Sequence, residues 1–171
     1  RPNESLDITL SYLRQKVEQD GTPEVELNLS GEYEQRRLNT GEDGSHYEFL
    51  DNEIDIVNLV VEYDLGWATI TNSSSLVNYE SEIETDISHI MFLFEPFFPE
   101  IGNQPYFSRS TLKTDNAINE LRIVSQFDGP LQFSAGLYYD DKEEKNSSFW
   151  LWSGNSSLDP MFQISDRETK T

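Results

Sequence analysis

The chain has 171 residues, 32 acidic against 12 basic side chains, a formal net charge of −20 and no cysteine. That charge balance argues against nucleic acid and anionic lipid headgroups as partners, because phosphate binding draws on Lys and Arg. The missing cysteine excludes disulfides and thiolate metal sites. A chain of this length ordinarily buries one sizeable core, yet its apolar residues are spread in alternation, which predicts a single layer of sheet. The longest apolar run, Ile90 to Phe94, is far too short for a transmembrane helix, so any membrane span must be made of strands. Arg1-Pro2 opens the chain without a basic and apolar leader, and Lys170-Thr171 closes it without terminal structure, so both ends are expected to be cut.

The first strand is predicted from about Leu6 to Val17, with Leu6, Ile8, Leu10 and Tyr12 on one face and Asp7, Thr9 and Ser11 on the other. From about Glu18 to Glu53 the pattern dissolves into a polar loop with eleven acidic side chains against two arginines. A patch at Val25, Leu27 and Leu29 reads as a hairpin within this loop or an extension of the strands, with low-complexity disorder as the rival. Strand pattern resumes from Ile54 to Tyr63, turns at Asp64-Leu65-Gly66 where glycine suits a left-handed backbone, and returns from Trp67 to about Glu82. Which face of that returning strand is apolar stays open. A second long loop is expected from about Thr85 to Asn116.

The third pair alternates most strictly. Leu121, Ile123 and Phe127 oppose Glu120, Arg122 and Gln126; after Asp128-Gly129-Pro130 come Leu131, Phe133, Ala135, Leu137 and Tyr139, alternating with Gln132, Ser134, Gly136, Tyr138 and Asp140. Pro130 is expected to open the returning strand, where its missing N–H costs no ladder bond. A third loop, about Asp141 to Ser165, leads to a further strand beginning near Arg167.

A water-soluble antiparallel sheet alternates in the same way. Loops of roughly 25–35 residues after every second strand weigh against a compact soluble domain, where connections of about 4–6 residues prevail. Short turns at one end, long loops at the other and aromatics near strand ends predict an all-β fold. The expected form is an antiparallel up-and-down transmembrane β-barrel segment of about five strands, with short periplasmic turns and long extracellular loops.

No catalytic constellation is found, so an enzyme is not expected. His46 and His89 lack metal-ligand spacing, and the carboxylate runs read as solvated charge. No cofactor is expected. Two loop features are candidates for ligand contact. Phe92, Phe94, Phe97 and Phe98 form an apolar patch in a water-facing loop, either a capture surface or self-packing over the barrel mouth. Trp150 and Trp152 either stack ligands or extend a strand.

Asn58-Leu59-Val60-Val61-Glu62-Tyr63-Asp64-Leu65-Gly66-Trp67-Ala68-Thr69-Ile70-Thr71 resembles the strand, turn and strand of a TonB-dependent outer-membrane receptor barrel. Glu120-Leu121-Arg122-Ile123-Val124-Ser125, Phe127-Asp128-Gly129-Pro130-Leu131-Gln132-Phe133 and Gly136-Leu137-Tyr138-Tyr139 resemble the following hairpin, and Ser165 to Thr171 the start of a next strand. The resemblance implies a partial barrel domain, residues 1–171 of a larger receptor, in the outer membrane of a Gram-negative bacterium. It implies capture of a scarce nutrient, such as an iron chelate, cobalamin or an oligosaccharide, at the extracellular loops. Import would draw energy from the inner-membrane TonB complex. No coupling box, plug domain, signal peptide or C-terminal aromatic strand is found in this chain, so contact with that complex would run through other parts of the parent protein. A passive porin-type channel segment and a secreted soluble β-sandwich binding module are the alternatives.

Overall fold

The computed structural model describes residues 5–21, 25–27, 31, 33–35, 48–87, 96, 106–152 and 162–170, with backbone alone at 25–27, 33–35, 151–152 and 162–166. Among them there is no helix. The strands are β1 (Leu6–Asp20), β2 (Val25–Leu27), β3 (Tyr33–Gln35), β4 (Phe49–Asp64), β5 (Ala68–Asp86), β6 (Tyr106–Ser125), β7 (Ser134–Trp152) and β8 (Phe162–Lys170). Six of them form one open antiparallel sheet in the order β1-β4-β5-β6-β7-β8, and β2 and β3 pair separately as a small hairpin. β1 and β8 are its two edges.

Register is continuous from Leu6↔Tyr63 to Asp20↔Phe49 and from Ala68↔Ser125 to Asp86↔Phe107, and one irregularity is found, in the β7–β8 pair at Ser148/Phe149. Residues opposite one another in such a ladder point to the same side. The rows that start from Leu6, Ile8 and Leu10 therefore define one face of the whole sheet, here the front, and the rows from Asp7, Thr9 and Ser11 define the back.

The strands run further than the sequence predicts, and all three expected long loops are shortened by them. β6 begins at Tyr106 inside the expected loop 85–116, β7 continues to Trp152 through the expected loop 141–165, and β8 begins at Phe162. In the first polar stretch β1 reaches Asp20, β4 starts at Phe49, and the patch at Val25 and Leu27 pairs as a hairpin strand. The physical reason is charge. In these outer portions one face carries Lys, Arg, Asp and Glu, which read as loop composition, while cross-strand pairing of opposite charges keeps them in the ladder.

Two connections lie at the short-turn end. At Asp64–Trp67 the Asp64 carboxylate accepts the Gly66 amide at 2.7 Å, Leu65 N–H donates to Ala68 O at 2.9 Å, and Gly66 takes φ +83°, a conformation that L side chains rarely adopt. The second connection is longer than predicted. β7 opens at Ser134, so Pro130 lies within the turn and not at the strand start. Gln132 fills that turn by donating to Phe127 O and to Gly129 O at 3.3 Å. Trp67 stacks on Phe127 with 6.1 Å between centroids, and Phe127 meets Phe133 at 6.1 Å. Gln126 N–H donates to Trp67 O at 2.7 Å, joining the two connections.

Candidate functional surface

The faces of the sheet exchange character halfway along the strands. On the front, the half nearest the short turns is apolar: Leu6, Ile8, Leu10 and Tyr12 on β1 lie in rows with Tyr63, Val61, Leu59 and Val57 on β4. The same rows continue through Ile70 and Leu76 to Ile123, Leu121 and Ala117, then Ala135, Leu137 and Tyr139. These side chains stand in the open: Leu10 is 71% exposed and Leu137 74%. Among the described residues the buried apolar side chains are Ala68, Ile87, Tyr106 and Phe107, which is no core for a sheet of this size.

Beyond the row of Tyr12 the front becomes charged within one step. Tyr12 donates its hydroxyl to Asp55 at 2.5 Å, and Arg14 pairs with Glu53 across the strands. Lys113 meets Glu80 at 3.0 Å, while Glu143 holds Lys145 at 2.9 Å and Lys170 at 3.1 Å. Hydrogen bonds from those two lysines hold the Glu143 carboxyl below the usual carboxylate range. Lys145 and Lys170 are pushed up in return, chiefly by their hydrogen bonds to Glu143. A shallow groove of about 430 Å³ marks the boundary, with Val57, Leu76 and Ala117 on its apolar side and Asp55, Asp115 and Asp141 on its acidic side.

At the far end the sheet carries its most enclosed group. Arg109 holds the buried Glu84 carboxylate at 2.5 Å and lies 5.8 Å from the Phe49 ring centroid. The buried Glu48 accepts the Asp86 amide at 2.9 Å, and burial pushes the Tyr106 phenol up.

The back face runs in the opposite sense. Near the turns it carries Asp7, Thr9, Ser11, Glu62, Thr71, Ser73, Ser75, Glu120 and Arg122, with Asn58 donating to Ser75 at 2.8 Å and Ser73 at 3.2 Å. Farther out it turns apolar at Leu13, Ile56, Ile54, Val77, Tyr79, Leu50, Ile83 and Leu112. Lys142 and Glu144 on that part neutralise each other at 2.6 Å.

Of the residues that sequence reasoning singled out, Trp150 stands half-buried on the back of β7, in register with Ser108 and Phe162. The backbone of Trp152 ends β7 opposite Tyr106, so this segment does continue a strand; the Trp152 side chain lies outside the described residues. Phe92, Phe94, Phe97 and Phe98 lie outside them as well, as do His46 and His89. Among the described residues no group of three or more His, Cys, Asp or Glu could hold a metal ion. Sequence reasoning missed the exchange of faces, whose signal is present once each strand is divided into halves. Comparison with family models, with curated proteins and with solved structures gave no match.

Proposed function

We propose that this sheet is part of the wall of an outer-membrane β-barrel, front face to lipid and back face to the lumen, in a receptor that captures a scarce nutrient and imports it with energy from the TonB system. The observation that carries the barrel reading is the apolar band confined to the turn-proximal front. Four outward rows run roughly 20–25 Å along the strands at about 3.3 Å per residue, a height of roughly 15–20 Å once strands tilt by about 35–45°, which is most of the apolar band of about 25 Å in such barrels. Water would leave that belt uncovered, whereas monomeric soluble proteins rarely expose apolar patches beyond a few hundred Å².

Strand length, the charged outer front and the polar near half of the back support this placement. A strand of 20 residues such as β6 spans roughly 65 Å, far more than a bilayer core of about 30 Å even when strongly tilted. The charged front would stand above the membrane in water, and the polar near half of the back would line a hydrated lumen. The receptor function rests on the resemblance of the two hairpins. In this reading nutrient capture belongs to the long-loop end, where Trp150 lies, and coupling belongs to other parts of a larger protein.

Single cysteines test the topology, since the chain has none of its own. In intact cells an impermeant maleimide should label Glu18→Cys and Glu82→Cys, and leave Asp64→Cys, Asp128→Cys and Leu10→Cys unlabelled. Labelling at the turns with protection at Glu18 would invert the model. Uptake by the whole receptor should stop when a protonophore collapses the inner-membrane potential; uptake that persists identifies a passive channel.

A further inference from the structure

The apolar band contains one polar island. Asn72 and Ser74 on β5 and Asn119 on β6 occupy the two central rows of the front, between Leu59 and Val61 on one side and Leu137 and Tyr139 on the other. They close a ring: Asn119 Nδ2 donates to Ser74 Oγ at 2.6 Å, Ser74 Oγ donates to Asn72 Oδ1 at 3.1 Å, and Asn72 Nδ2 donates to Asn119 Oδ1 at 3.3 Å. Asn72 Nδ2 also reaches Glu120 O at 3.4 Å. The ring thereby uses both N–H groups of Asn72 and the Ser74 hydroxyl. One N–H of Asn119 and one lone pair on its Oδ1 remain.

Lipid tails offer an amide nothing, so an unmet donor in the belt is costly and calls for protein on the other side. A primary amide is self-complementary, because its N–H and C=O lie side by side and two of them related by a two-fold axis exchange two hydrogen bonds. An isologous contact places the same patch of each copy against the other. Half-buried Asn119 is surrounded by the more exposed Leu76, Leu121 and Tyr139, which supply an apolar rim that shuts lipid out. We infer that the β5–β6 wall is the contact face of a two-fold dimer of this protein within the membrane, with Asn119 of each copy at the axis. The inference rests on the barrel reading.

Cysteine cross-linking in the native membrane, on the full-length receptor, tests it. Oxidation should trap a covalent homodimer from the rim variants Leu76→Cys and Leu121→Cys, which keep the Asn119 amide, and none from Leu10→Cys or Leu137→Cys, with heat-modifiable migration on gels confirming that each variant has assembled. Asn119→Leu should lose the dimer seen by native mass measurement. Monomer throughout, equal trapping at all four positions, or an adduct of a mass other than twice the protein would overturn the dimer. The barrel reading fails separately, if a water-soluble maleimide modifies Leu10→Cys and Leu137→Cys in membranes. Protection of those two sites with no dimer from Leu76→Cys or Leu121→Cys sinks the dimer alone.

Discussion

Leu10 and Thr9 are neighbours on β1 with side chains on opposite faces, so the pair isolates the direction of the wall from everything else about the strand. Leu10 lies near the middle of the apolar rows and Thr9 on the polar back. If the front meets lipid, Leu10→Arg should destabilise the folded barrel by about 2–4 kcal/mol, the usual cost of arginine near the bilayer midplane. Thr9→Arg should cost far less. Folding titrations in lipid vesicles measure both, and equal costs would contradict the assignment. Gly136 is a second informative residue on the back. A Cβ there would come within 3.0 Å of Leu121 O, so the ladder between β6 and β7 closes tightly because that position has no side chain.

At the scale of elements, β8 is a nine-residue edge strand in which Lys170 pairs with Glu143 on β7 and with Glu168 on its own strand. Glu143 is the hinge of that arrangement, and its lowered carboxyl pKa sets the pH dependence. A carboxylate held below its unfolded value stabilises fully above the ordinary pKa of about 4.3, and the contribution is lost as pH falls through the lower folded value. Lys145 and Lys170, held above the ordinary lysine value, contribute below about pH 10.4 as long as Glu143 is ionised and lose their contribution as pH rises through the raised folded values. β8 amides should therefore keep their protection between these limits and lose it first in acid, and earlier at high salt because the pairs are exposed. Hydrogen exchange corrected for intrinsic rates, at pH 3 and pH 7, reads this; unchanged β8 protection in acid would show that the ladder alone holds the edge. Arg109 and Lys113, both on β6, give an internal control. Arg109→Met strips the cation from the buried Glu84, Lys113→Met from the exposed Glu80. The first should lower thermal stability clearly and the second barely, since only a desolvated carboxylate depends strongly on its partner.

For the whole molecule the deciding property is that six strands leave two edges. Among the described residues β1, 15 residues long, ends the sheet on one side and β8 on the other. In water, open edges together with an uncovered apolar band favour association. The 171-residue polypeptide alone should therefore associate in plain buffer despite its charge, and should neither conduct ions nor import a ligand. Light scattering and amide spectra decide. A monomer with cooperative thermal unfolding and dispersed resonances would replace the barrel wall by a soluble sandwich, its second sheet covering Leu10 and Leu137.

Alternation with period two is a local property of the chain, so the all-β class, the turn at Asp64–Gly66 and the apolar front of β1, β4 and β7 near that end were all legible from residue order. Strand ends were not. Lys142 to Lys145 read as a polar loop because charge runs and loops share a composition, and only pairing with β6 on one side and β8 on the other makes that stretch a ladder. Phe92, Phe94, Phe97 and Phe98 were legible as an apolar patch in a polar stretch, but a patch in sequence says nothing of what it packs against. The ambiguous strand from Ala68 onward was resolved by register: Asn72 and Ser74 share a face with Ile70 and Leu76 by alternation alone, and pairing with Val61 and Leu59 on β4 and with Leu121 and Asn119 on β6 makes that face the front. Local order fixes which side chains share a face; only the neighbouring strands decide what each face meets, because burial and charge pairing are contacts between residues far apart in the chain.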